Sequence, residues 1–152
     1  MSSIDELQER YSKLERRLET RPHSAIDAGC LMVFDYDYAG QDAEVKVNTD
    51  EFTAVCPWTG LPDFGTLRIS YVPDKSCIEL KSLKYYLLSY MGVGIVHEHV
   101  ANRILSDLVA VCKPIRMSIE LDYKVRGGIH SSVNVSYQKQ GADQLSDDIE
   151  SS

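Results

Sequence analysis

Residues 79–94 read ELKSLKYYLLSYMGVG, and the spacing of apolar side chains changes within them. Leu80, Leu83, Leu87 and Tyr90 recur at intervals of three and four, which places them on one helical face, and the two glycines of MGVG break the helix. Working outward, TLRISYVP before this stretch has strand composition and is closed by Pro73. LMVFDYDY and AEVKVN also read as strands, separated by a turn around Gly40, so a hairpin is expected there. After the break, Val96, Val100, Ile104, Leu108 and Val111 predict the inward face of a second helix that ends before Pro114. RMSIELDYKV and IHSSVNVSY then predict two strands joined at Arg126-Gly127-Gly128, glycines suited to the positive φ of a hairpin turn. Strands, two helices and two strands in that order imply an α+β fold in which two helices cover one face of an antiparallel sheet. The other face needs cover, and symmetric self-assembly is the usual solution.

This core is expected to span residues 21–137 as one domain of the 152-residue chain. Before it, Ile4, Leu7, Tyr11, Leu14 and Leu18 predict an amphipathic helix over residues 1–20. Its seam fits packing on its own domain and self-association equally. After the core, residues 138–152 have no apolar period and read as a disordered acidic tail. A composition of 43% hydrophobic and 26% charged residues is globular, and no apolar run approaches the roughly 20 residues a membrane span needs. The opening MSSIDELQERYSK lacks the apolar segment of a secretory signal, so a soluble cytoplasmic protein with reduced thiols is expected. Its four cysteines form no C-x-x-C pair and imply neither a disulfide framework nor a zinc ribbon. Cys30 and Cys112, in apolar settings, read as small buried hydrophobes and Cys77 as a bystander near a turn.

The net charge of −7 argues against direct binding of nucleic acid, which usually requires a basic face. The charge is uneven. Residues 22–55 hold seven acids against one base, whereas residues 56–137 hold seven acids against nine Lys or Arg. The middle of an acidic chain is therefore suited to an anionic ligand.

Residues 53–64, TAVCPWTGLPDF, concentrate rigidity around one thiol and one carboxylate. Fully extended, the seven residues from Cys56 to Asp63 would separate them by roughly 23–25 Å. Pro57 and Pro62 fix two φ angles and Thr59-Gly60 supplies a turn, a combination that can return Asp63 towards the sulfur. A cysteine nucleophile needs a stabilised thiolate or a base to take its proton, and Asp63 is a candidate partner. A structural turn with a buried thiol fits the same spacing.

IVHEHV places His97, Glu98 and His99 in the first turn of the second helix. A zincin H-E-x-x-H would need histidine where Ala101 stands, and a zinc site from Cys56, His97 and His99 is the weaker alternative. Glu98 also suits the helix dipole as a solvated residue. GVGIVH lacks the third glycine of a dinucleotide fingerprint and follows a helix instead of a strand, which excludes a Rossmann site. Lys81 and Lys84, near a helix start, could hold phosphate or lie on a solvated face.

Taken together, CPWTGLPDF, ELKSLKYYLLSY, HEH and RGG, in that order and spacing, closely resemble the short single-domain type of 7-cyano-7-deazaguanine reductase, the NADPH-dependent nitrile reductase family of queuosine biosynthesis. The resemblance runs from about Asp50 to Tyr137, and its most specific element is E-(S/L)-K-(S/A)-x-K-(L/Y)-(Y/F/W), met by residues 79–86. It implies that Cys56 is the nucleophile, adding to the nitrile carbon to give a thioimide, and that Asp63 is the acid that protonates the nitrile nitrogen. It implies NADPH as the reductant, used twice, and 7-aminomethyl-7-deazaguanine as the product. Glu98 matches the glutamate that accepts from the guanine-like edge, with Glu79 as a further substrate contact. His97 matches a histidine at the nitrile end that positions substrate and assists proton transfer. Lys81, Lys84 and Arg126 match residues associated with the NADPH phosphates. The implied architecture is the tunnelling fold, with subunits closing into barrels, shared sites, and a homo-oligomer built as a decamer of two pentamers. No metal is implied. Leu80 stands where the family often has serine, which removes that polar contact. The rival readings are a zinc-dependent, GTP cyclohydrolase-like enzyme of the same fold and a non-enzymatic deazapurine-binding module.

Overall fold

The computed structural model describes residues 2–141. Its main sheet is built from β2 (Val45–Val55), β3 (Pro62–Val72), β5 (Arg116–Tyr123) and β6 (Ser132–Gln138), ordered β2-β3-β5-β6 and antiparallel throughout. β1 (Val33–Asp35) and β4 (Ser76–Ile78) make a separate two-stranded ribbon. The expected hairpin around Gly40 is therefore corrected: Val33 pairs with Ile78, and the strand beginning at Val45 pairs with β3. β2 also runs to Val55, beyond the AEVKVN segment that announced it. A register shift between Thr49 and Phe52 interrupts its alternation there.

Helices α2 (Leu80–Leu88) and α3 (His97–Cys112) follow β4. Their buried Leu83, Tyr86, Val100, Ile104 and Leu108 share one core with Phe52, Leu67, Ile69, Tyr71, Met117, Ile119 and Leu121 of the sheet. The expected α2 face is rotated slightly. Leu80 is exposed, while Ser82, Leu83 and Tyr86 are buried. Tyr86 goes inward because its hydroxyl meets that of Tyr90 at 2.8 Å and donates to Asp107 Oδ2 at 2.6 Å, so the phenol is paired inside the core. In α3 the inward residue of the last turn is Cys112, with Val111 half-buried. Cys77 is buried too, and Cys30 is half-buried.

The sheet's other face is polar. Lys46, Asn48, Arg68, Ser118, Asn134 and Ser136 are all exposed on it. Arg68 faces Asn48 on one side and Glu120 on the other. That face does not demand an apolar cover, which corrects the reason given for assembly; the sheet's outer strands are β2 and β6.

The N-terminal helix is α1 (Ile4–Ser12), closed at its start by a capping box from Ser3 and Glu6, and it buries none of its residues. It does not reach residue 20. Ser12 Oγ donates to the Glu9 carbonyl, Lys13 and Leu14 N–H donate back to the Arg10 and Tyr11 carbonyls, and Leu18 N–H donates to the Thr59 carbonyl at 2.9 Å, so the backbone is committed to the domain by Leu18. β6 extends through Gln138, and residues 142–152 of the expected acidic tail lie outside the described residues. Among the described residues no helix is long and apolar enough to cross a membrane.

Candidate active site

The β2–β3 hairpin returns the carboxylate to the thiol. Val55 pairs with Pro62 and Ala54 with Asp63, so the turn over residues 56–61 begins at the cysteine. Gly60 N–H donates to the Cys56 carbonyl at 2.8 Å and Cys56 N–H donates to the Leu61 carbonyl at 2.9 Å. Gly60 adopts φ +75°, where a Cβ would also lie 2.5 Å from the Leu18 carbonyl oxygen, so glycine is required twice over. Cys56 and Asp63 then line one cavity of about 240 Å³ with Pro57, Trp58, Ile95, Val96, His97, Glu98 and Arg126.

Asp63 is buried, and each of its oxygens faces a nitrogen of a basic side chain. Arg126 Nη1 donates to Oδ1 at 2.7 Å, and His97 Nε2 lies 3.0 Å from Oδ2, at ion-pair distance. A buried carboxylate is stable only when paired in this way. The His97 ring lies flat on Tyr123, with centroids 3.6 Å apart and planes 8° from parallel, and its Nδ1 is 3.4 Å from Ser131 Oγ. The Tyr123 hydroxyl beneath it is buried and has no hydrogen-bond partner among the described residues. Burial pushes this phenol far up, and the charges of Asp63 and Glu98 push it the same way.

Burial alone would also raise the Cys56 thiol. The Thr59 hydroxyl, the N–H groups of Thr59 and Trp58, and the Arg126 charge outweigh it, and the net shift is downward. Desolvation raises Cys30 instead and pushes Cys112 up to about 12. Of these three thiols, the one in the cavity is the one whose thiolate is favoured. The turn that ties it to Asp63 also supplies the donors that favour its thiolate.

Glu98 occupies the exposed first turn of α3 and presents its carboxylate at the cavity. His99 is exposed and is not part of the cavity lining. Glu79 is the N-cap of α2, accepting from Lys81 N–H at 2.8 Å and Ser82 N–H at 2.7 Å. Those two bonds hold its carboxyl below the usual range. Lys84 lines a different groove of about 300 Å³, between α2 and β2, with Leu80, Leu87, Leu88, Met91 and Phe52. Glu79, Lys81 and Lys84 do not line the Cys56 cavity of their own chain, whereas Arg126, grouped with the lysines from sequence, does. Among the described residues no group of three or more His, Cys, Asp and Glu is arranged to hold a metal ion. Thr59 was read only as a turn residue, and Tyr123, Ser131 and Arg17, whose Nη2 donates to the Pro57 carbonyl at 2.9 Å, were not singled out in the sequence. Thr59 had a local signal, lying inside the turn; the others reach the site from β5, the β5–β6 turn and the N-terminal segment.

A family model described as QueF-like protein matches residues 62–142. The NADPH-dependent 7-cyano-7-deazaguanine reductase of Chlorobaculum tepidum is 55% identical over 109 residues, 72% of this chain and 93% of the relative. The protein of the same name from Thermoanaerobacter pseudethanolicus is 47% identical over 126 residues, 83% of this chain and 95% of the relative. Among solved structures, the apo archaeosine synthase QueF-Like superposes with a TM-score of 0.60 at 21% identity, covering 65% of this chain and 97% of that one, a likeness of fold. With over two-thirds of its length aligned to such relatives, the chain belongs to the NADPH-dependent 7-cyano-7-deazaguanine reductase family.

Proposed function

We propose that this enzyme reduces the nitrile of 7-cyano-7-deazaguanine to the aminomethyl group with NADPH, through a covalent adduct on Cys56. The observation that carries this reading is a thiol favoured as thiolate in one cavity with Glu98 and with a buried carboxylate that is hydrogen-bonded by Arg126 and lies within ion-pair distance of His97. The thiolate sulfur adds to the electrophilic nitrile carbon, and the thiol proton passes by way of Asp63 to the nitrile nitrogen, giving a neutral thioimide. His97, stacked on Tyr123 and 3.0 Å from Asp63 Oδ2, orients the carboxylate and can relay its proton. Glu98 accepts from the ring N–H and exocyclic amine of the guanine-like edge, which sets specificity. NADPH, when bound, supplies one hydride to the thioimide and a second to the imine released when the thiolate leaves.

Lys81 and Lys84, exposed near the start of α2 beside an apolar groove, fit the phosphates of such a reductant. Glu79 and these lysines stand apart from the Cys56 cavity, and a homo-oligomer in which a neighbouring α2 faces that cavity would complete the site. Outer strands β2 and β6 and a polar sheet face suit subunits that pair edge to edge into a hydrated barrel, a pentamer doubled to a decamer. The test is stoichiometry: purified enzyme should oxidise two NADPH per nitrile consumed and release the amine, and Cys56→Ala should do neither. A nitrile left unconsumed by the wild-type enzyme with NADPH in excess would overturn the reading.

A further inference from the structure

The segment over residues 17–21 lies outside the resemblance on which the site was read, yet it is bonded to both halves of the site. Arg17 places Nη2 at 2.9 Å and Nε at 3.3 Å from the Pro57 carbonyl, the residue after the nucleophile. Leu18 N–H donates to the Thr59 carbonyl at 2.9 Å, and the Leu18 backbone covers Gly60 so closely that no Cβ fits there. Arg21 N–H donates to the Gly92 carbonyl at 2.7 Å and its carbonyl accepts from Gly94 N–H at 3.2 Å. Beyond that pair, Val55 N–H donates to the Val93 carbonyl at 3.0 Å and Ile95 N–H to the Val55 carbonyl at 3.1 Å. Three segments thus lie side by side in parallel bridges, residue 21 against 93 and residue 94 against 55. The first comes from the N-terminal segment, the second leads into His97 and Glu98, and the third ends at Cys56.

We infer that residues 17–21 are a positioning strap for the catalytic turn, holding residues 57–60 in the conformation that aims the Trp58 and Thr59 donors at the Cys56 sulfur. The physical reason lies in the turn's composition. Residues 57–60 contain one glycine at positive φ and close on themselves through only the bonds at Cys56, Gly60 and Leu61. A cation on the Pro57 carbonyl fixes the peptide plane that carries Trp58 N–H, and a donor on the Thr59 carbonyl fixes the plane that carries Gly60 N–H, the group that closes the turn on the Cys56 carbonyl. A loosened strap lets those planes rotate, and the thiolate loses donors without any change in the residues that touch substrate. Arg17 acts through the turn and is not itself catalytic.

The inference rests on Cys56 being the nucleophile, so its test reads the thiol directly and needs neither nitrile nor NADPH. The rate of Cys56 alkylation by iodoacetamide is followed against pH, by mass spectrometry of the Cys56 peptide, in full-length wild type, Arg17→Ala, Arg17→Lys and the neighbouring control Arg16→Ala. Loss of one or two hydrogen bonds to the turn corresponds to about a three- to tenfold fall in rate at neutral pH. In Arg17→Ala the alkylation profile should move to higher pH by that factor and kcat should fall with it. The KM for nitrile should change less, Arg17→Lys should recover part of the loss, and Arg16→Ala should match wild type. A Leu18→Pro variant, which removes the other donor to the turn, should give the same displacement while keeping the wild-type circular dichroism. An unmoved alkylation profile in both Arg17→Ala and Leu18→Pro would overturn the strap. A wild-type enzyme that reduces nitrile equally well as Cys56→Ala would instead overturn the nucleophile, a separate failure.

Discussion

Replacing Arg126 by Ala separates two roles that the sequence had merged. The guanidinium lies 2.7 Å from Asp63 Oδ1, and Asp63 is only 7% exposed while the arginine side chain is 56% exposed. A charge-assisted hydrogen bond that is fully desolvated contributes about 1.5–3 kcal/mol, and an exposed ion pair about 0.2–1 kcal/mol. With one end buried and the other half in water, about 1 kcal/mol is the appropriate discounted figure, or about fivefold. Arg126 also helps to favour the Cys56 thiolate by its charge, the smallest of the contributions to that shift. In the absence of NADPH, Arg126→Ala should therefore form the Cys56–nitrile adduct about fivefold more slowly than wild type, measured by quenched-flow mass spectrometry. Lys81→Ala and Lys84→Ala should form it at the wild-type rate. Arg126→Lys should recover part of the loss, since it keeps the charge and lacks the planar fork. Adduct formation at an unchanged rate in Arg126→Ala, with only the KM for NADPH raised, would refute the assignment of Arg126 to Asp63.

Three further outcomes are expected. Asp63→Asn should still bind the nitrile but lose about 10²–10⁴ in turnover, because the amide cannot cycle a proton; near-normal turnover would remove Asp63 from the chemistry. Lys81→Ala and Lys84→Ala should raise the KM for NADPH, and wild-type affinity for NADPH should fall as salt rises; flat kinetics in both would return the lysines to the solvated surface. Removal of residues 1–13 should leave activity and the light-scattering mass per subunit unchanged, since α1 buries nothing in its own domain. Dissociation of the shortened protein would make the helix part of the assembly.

The β2–β3 hairpin was legible because its constraints are local: Pro57, Gly60 and Pro62 fix the turn in the sequence itself, and the register then follows. The β5–β6 hairpin was legible for the same reason, with Gly127 and Gly128 both at positive φ. The β1–β4 pairing was not, because strand composition says that a segment will pair and nothing in it says with which partner. The second half of β2 was hidden by the irregularity after Thr49, which breaks the alternation that announces a strand. The length of α1 was overread. Leu14 and Leu18 continue its spacing, but Leu18 spends its backbone donor on Thr59, a tertiary bond with no local signature. The same limit hid Tyr123 and Ser131, which reach His97 only after β5 and the turn beyond it are folded back against α3. Arg126 was read with Lys81 and Lys84 as a cation for the NADPH phosphates, and only the folded chain showed it bonded to Asp63.

The central claim is covalent chemistry at Cys56, and the intact mass of the protein tests it most directly. Wild-type enzyme held with excess 7-cyano-7-deazaguanine and no NADPH should gain the full mass of the nitrile on Cys56, because addition forms one C–S bond, moves one proton and releases nothing. Cys56→Ala should gain none, and NADPH added afterwards should return the wild-type protein to its starting mass. An unmodified wild-type protein under saturating nitrile, or an adduct that survives in Cys56→Ala, would contradict the account.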